Sequence, residues 1–69
     1  MAIVVASSND ERWANGERDK LRDSGFPATV RRSADRFEVR IEALPDAAET
    51  NALIERLKRL GYSQAQAAR

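Results

Sequence analysis

The feature that most constrains the fold of this 69-residue chain is that it repeats itself. Asp19, Lys20, Leu21, Arg22, Gly25 and Phe26 return as Glu55, Arg56, Leu57, Lys58, Gly61 and Tyr62, keeping charge sign, leucine, glycine and aromatic ring at the 36-residue offset that separates Phe26 from Tyr62. A repeat of this length is one supersecondary unit, too small to bury the apolar face of its own helix, so the two copies must cover each other.

The second copy is the easier to read. Phe37, Val39 and Ile41 alternate with Glu38, Arg40 and Glu42, which predicts a strand over 37–43 with one buried and one wet face. Pro45 stops it. Asp46, followed three residues later by Glu49, marks a helix start over 46–60. Thr50, Leu53, Ile54, Leu57 and Leu60 form its apolar stripe, and Gly61 closes it. The first copy has a strand at 2–6, then a helix over 9–24 capped by Ser8 with Glu11 and closed by Gly25. Its stripe of Trp13, Ala14 and Leu21 is interrupted by Glu17 and Arg18, so the second helix is expected to be the principal one. A strand over 26–31 follows, and Pro27 near its start suits only a sheet edge. A last strand over 63–67 is less regular, because Gln64 and Gln66 fall where the first copy has Ala28 and Val30.

The expected fold is α+β and ferredoxin-like: βαββαβ, a four-stranded antiparallel sheet with both helices on one face. It makes residues 1–69 one domain built from halves at about 2–31 and 37–67. Ile3, Val5, Leu21, Phe26, Val30, Phe37, Val39, Ile41, Leu53, Leu57 and Leu60 are the predicted core, thin as in any chain this short.

Composition narrows the chemistry. The chain has no Cys and no His, and twelve basic residues against eleven acidic ones give a net charge of +1. The usual metal-binding clusters and nucleophile-base pairs are absent, so neither a metal nor a cofactor is expected. Glu38 and Glu42 share the wet strand face, but four residues of strand hold them roughly 13 Å apart, too far for a pair acting on a glycosidic bond. No catalytic constellation is visible, so an enzyme is not expected. Its longest apolar run, residues 1–6, falls far short of a membrane span, so no membrane insertion is expected. Arg31, Arg32, Arg36 and Arg40 concentrate positive charge in one hairpin. Sheets of this kind bind single-stranded RNA by stacking bases on aromatic residues of the central strands. Here those positions carry Val4, Ala6, Glu38, Arg40 and Glu42, which favours a solvated hairpin guarding a sheet edge over nucleic-acid binding. Trp13 borders the core, either as a lid over it or as a partner contact.

The duplicated pattern resembles the SPOR (sporulation-related repeat) domain along the whole chain. Phe37, Glu38, Val39, Arg40, Ile41, Glu42, Ala43 and Leu44 are similar to the family's Tyr-Arg-Val-Arg-Val-Gly-Pro-Phe stretch. Thr50, Leu53, Leu57, Gly61 and Tyr62 occupy its Ala, Leu, Leu, Gly and Tyr positions. In the first half Ala14, Leu21, Gly25 and Phe26 keep step, and Val4, Val5, Ala6, Ser7 and Ser8 stand where Gln-Val-Gly-Ser-Phe is usual. Val5 and Ser7 alone of that motif are retained. The resemblance implies a non-catalytic module of bacterial envelope or division proteins that binds peptidoglycan glycan strands stripped of their peptides. It implies a site on the wet face of the sheet, where Ser7, Thr29, Arg31 and an exposed Arg40 offer donors to an extended sugar chain.

Two other readings compete with it. One is a cytoplasmic protein-protein interaction domain, a homodimer among its forms, using a sheet edge or Trp13. The other is nucleic-acid binding through the hairpin bearing Arg31 and Arg40. A domain belonging to an exported or anchored protein would be periplasmic, whereas a native start at Met1 would make it cytoplasmic.

Overall fold

The structure is a computed structural model that describes residues 2–42 and 46–68. Its elements run β1 (Ala2–Ser8), α1 (Glu11–Asp23), β2 (Ala28–Ser33), β3 (Arg36–Ile41), α2 (Ala47–Arg59) and β4 (Gln66–Ala68). The strands form one antiparallel sheet in the order β2-β3-β1-β4. This is the expected ferredoxin-like βαββαβ arrangement. Pro27 precedes an edge strand, where its missing N–H costs no ladder bond. The strand end expected at 43 and the stop at Pro45 lie outside the described residues.

Both helices cover the sheet face that carries Ile3, Val5, Val39 and Ile41, all fully buried. Helix α1 packs on β2, β3 and β1, whereas α2 covers β1 and the three-residue β4. The second helix is therefore not the principal one, despite its fuller apolar stripe. Leu21 and Leu57, equivalent in the repeat, are equally buried, as are Ala14 and Thr50 beneath the helices. The Thr50 hydroxyl is accommodated there by donating to the Asp46 carbonyl at 2.7 Å.

Three expectations are corrected. Leu60 is 56% exposed. It is the C-cap residue at the end of α2 and lines an open surface depression beside Lys20, Asp23 and Ser24 of the other half. Val30, Phe37 and Leu53 are half-buried, while Ala28 and Ala65 enter the core instead. Finally, the cap of α1 is Asp10 and not Ser8. The Asp10 carboxylate accepts from the Arg12 and Trp13 N–H groups at 3.0 and 3.3 Å. Ser8 is still in β1, opposite Phe37, and its hydroxyl accepts from the Asp10 N–H at 3.0 Å. The Asp46 cap of α2 is as expected, accepting from the Glu49 N–H at 2.8 Å.

A bulge in β1 sets the orientation of its second half. Val4 pairs with Arg40, but the next pair is Ala6 with Val39, so β1 contains one residue more than its partner. Counting by twos from Ile3 and Val5 would turn Ser7 toward the helices, opposite Phe37. The extra residue shifts the register, and Ser7 pairs with Glu38 on the helix-free face.

Candidate functional site

The helix-free face is organised in rows of cross-strand neighbours, whose Cβ atoms lie about 4.5–5.5 Å apart. One row runs Thr29, Arg40, Val4, Gln66 across all four strands, and the next runs Arg31, Glu38, Ser7 across three. At the hairpin end Ser33 pairs with Arg36. The four residues singled out from sequence, Ser7, Thr29, Arg31 and Arg40, thus share one surface, and they do so only because of the bulge.

They are not alike in environment. Thr29, Arg31 and Ser7 are exposed, but Arg40 is only 9% exposed. It lies in a central strand between Thr29 and Val4. Its Nε donates to Glu42 Oε1 at 2.7 Å and its Nη1 to Glu38 Oε1 at 2.8 Å. These carboxylates hold the guanidinium even more firmly in its charged form than usual, its hydrogen bond to Glu42 contributing most and that to Glu38 next. Arg40 acts as a strut between two carboxylates that would otherwise repel each other along β3, and the trio carries a net charge of −1. An exposed, freely donating Arg40 is therefore replaced by a buried, paired one.

The other arginines of the hairpin are dispersed. Arg32 turns to the opposite face, its guanidinium carbon 6.0 Å from the centre of the Phe37 ring, and its Nε donates to the Ala34 carbonyl at 3.3 Å. Arg36 reaches across the end of β1, where its Nη2 donates to the Ser7 carbonyl at 3.1 Å and to the Ser7 hydroxyl at 3.2 Å. Among the described residues, neither Arg31 nor Arg36 is within ion-pairing distance of a carboxylate. The four basic side chains do not make one continuous patch. Beside them, Glu38 and Glu42 disfavour phosphate, and among the described residues no aromatic side chain lies in the rows of this face. Both features count against stacking of nucleic-acid bases.

Arg36 falls just outside the strand expected over 37–43, and its phase with Glu38 and Arg40 is the signal that puts it on this face, since β3 begins at Arg36.

Beside this face lies an open groove of about 390 Å³, at the edge of β1 beyond the end of β4. Ser7 and Arg36 form one side, Trp13 and Glu17 of α1 another, and Tyr62 with Gln64 a third. Trp13 is 40% exposed. Glu17 Oε2 accepts from the Tyr62 hydroxyl at 3.0 Å and lies 3.6 Å from Lys20 Nζ. The Tyr62 hydroxyl is driven above its ordinary pKa, chiefly by burial and secondly by its hydrogen bond to Glu17. No group of three or more metal-ligating side chains occurs among the described residues, and none of their helices is long and apolar enough to cross a membrane.

The family model described as the SPOR domain matches residues 2–69. No curated protein and no solved structure matches the chain.

Proposed function

Because the chain belongs to the SPOR domain family, known for peptidoglycan binding and not for catalysis, we propose that its helix-free sheet face binds peptidoglycan glycan strands that have lost their stem peptides. The observation that carries this reading is the pair of rows in which Thr29 and Arg31 of β2 and Ser7 of β1 present hydroxyl and guanidinium donors on either side of β3. An extended glycan offers hydroxyl, ring and acetamide oxygens at intervals, and each accepts a bond of modest net strength. A shallow open face that meets several sugars at once suits such a ligand better than a deep pocket. Arg40 serves this surface from beneath by fixing Glu38 and Glu42, which remain as acceptors for sugar hydroxyls. A module of this kind acts in the cell envelope, where its ligand is found, and stripped strands are produced where the wall is being divided.

Co-sedimentation with purified sacculi tests the reading, with single-stranded nucleic acid as the control ligand. The domain should pellet with amidase-treated sacculi more than with untreated ones and should not be retained by nucleic acid. The Thr29→Ala, Arg31→Ala double variant should pellet less while melting within a few degrees of the parent, since exposed positions contribute little to stability. Retention on nucleic acid with no pelleting would replace this reading with the nucleic-acid one.

A further inference from the structure

The charge map of the helix-free face and its groove is uneven. Around Arg40 the balance is negative, because one guanidinium is shared by two carboxylates. In the groove, Glu17 is engaged by Tyr62 and lies near Lys20. Arg36 is the groove's cation, and its Nη2 is held by the Ser7 carbonyl and hydroxyl. Glu38, its neighbour two residues along β3, is turned toward Arg40. A guanidinium fixed by neutral acceptors keeps its charge available to a carboxylate and pays little ordering entropy when it binds one. Trp13, the only tryptophan in the chain, lines the same groove. An exposed indole provides a flat apolar surface suited to the C–H face of a pyranose ring.

A glycan strand that has lost its stem peptides is not neutral. Cleaving the amide that joined each peptide to its muramic acid leaves a lactyl carboxylate on every second sugar. The cation, which has no carboxylate partner among the described residues, and the aromatic wall together match that unit.

We propose that the groove between Trp13 and Arg36 is the muramic acid subsite of this surface, with Arg36 pairing with the exposed lactyl carboxylate and Trp13 lying against the sugar ring. The inference rests on the glycan-binding reading and assigns to two residues the contacts that would recognise the muramic acid unit. The intact stem peptide occupies the carboxylate as an amide, so Arg36 discriminates stripped strands from substituted ones by charge.

The test uses glycan strands released by amidase digestion, in two preparations: one with free carboxylates and one in which they are coupled to methylamine. Binding is followed by Trp13 fluorescence and, independently, by retention of the domain on immobilised strands. The domain should bind the carboxylate form about tenfold more tightly than the methylamide form, as loss of a charge-assisted hydrogen bond predicts. Its tryptophan emission should change on saturation. Arg36→Gln should bind both forms alike, at the affinity the parent shows for the methylamide form, and Arg36→Lys should restore part of the preference. Equal affinity of the parent for the two forms, or a preference that survives Arg36→Gln, overturns the subsite and leaves glycan binding standing. Retention without any change in Trp13 emission removes the indole from the contact and overturns the subsite as drawn. Failure of the parent to bind either preparation overturns both the subsite and the reading beneath it.

Discussion

The two halves of the chain close their helices in the same way and then diverge within three residues. In α1 the N–H of Gly25 bonds to the Arg22 carbonyl and that of Phe26 to the Leu21 carbonyl; in α2 Gly61 bonds to Lys58 and Tyr62 to Leu57. Both glycines are left-handed, at φ 92° and 104°, and the paired bonds make each closure a Schellman motif. After it, Ala28 N–H bonds to the Phe26 carbonyl, but Ala65 N–H bonds to the Tyr62 carbonyl, one residue further back. The second half has gained a residue in its turn. This moves the offset from 36 to 37 and places Ala65, not Gln64, in the core position of Ala28. Gln66 pairs with Val4 on the helix-free face. A one-residue change at a turn exchanges the two faces of the strand that follows, so the apparent mismatch of glutamines with Ala28 and Val30 disappears.

The aromatic rings show a second difference. Phe26 is buried, with Arg56 of the other half 5.1 Å from its centre, whereas Tyr62 is half-buried and bonds to Glu17 of the other half. Glu17 is the repeat equivalent of Leu53, so the charge that interrupts the first stripe is the partner of the hydroxyl that distinguishes Tyr62 from Phe26. Each half thus supplies a contact to the other's ring, one cationic and one through a hydrogen bond.

The largest expected effect comes from the leucines on which both closures turn. Leu21→Ala and Leu57→Ala should each cost about 2–5 kcal/mol, with Leu21 costing at least as much, because α1 covers three strands and α2 two. Denaturant titrations showing Leu57→Ala clearly the more damaging would make the second half the mechanical centre after all. Next is the extra residue. Ala65→Asp buries a carboxylate beside Tyr62 and the core, and should cost about 2 kcal/mol or more, whereas Gln66→Ala on the wet face should stay within about 0.5 kcal/mol. The reverse order in thermal unfolding would restore the 36-residue register through β4.

The smallest effect is at the ring. Tyr62→Phe makes the second half resemble the first and should cost about 0.5–1.5 kcal/mol, with a double-mutant cycle through Glu17→Gln isolating the shared part. The same pair predicts a dependence on pH. Tyr62 has its pKa raised on folding, so the unfolded chain loses the phenolic proton first. The stabilisation from this linkage is complete below the unfolded value near 10 and is lost as pH rises through the higher folded value. Urea titrations from pH 8 to 11.5 should show that alkaline loss in the parent and a smaller one in Tyr62→Phe; identical slopes would mean that the hydroxyl is not linked to folding.

What the sequence determined by itself was whatever depends on neighbours in the chain. The strand period of Phe37 to Glu42, the Asp46 cap, the two glycine closures and the buried leucines follow from local geometry, and the duplication led from them to the ferredoxin-like sheet. What the tertiary structure alone decided was what depends on a partner strand or a distant side chain. The bulge between Val4 and Ala6 is defined only against β3, so the facing of Ser7 had no local signature. Arg40 looked exposed because its period was right, but Glu38 and Glu42 lie on the same strand face and fold over it. Glu17 looked misplaced until Tyr62, 45 residues away, supplied its hydrogen bond. Period and capping are fixed by a few consecutive residues, whereas register, ion pairing and burial are fixed by whichever residues the folded chain brings alongside.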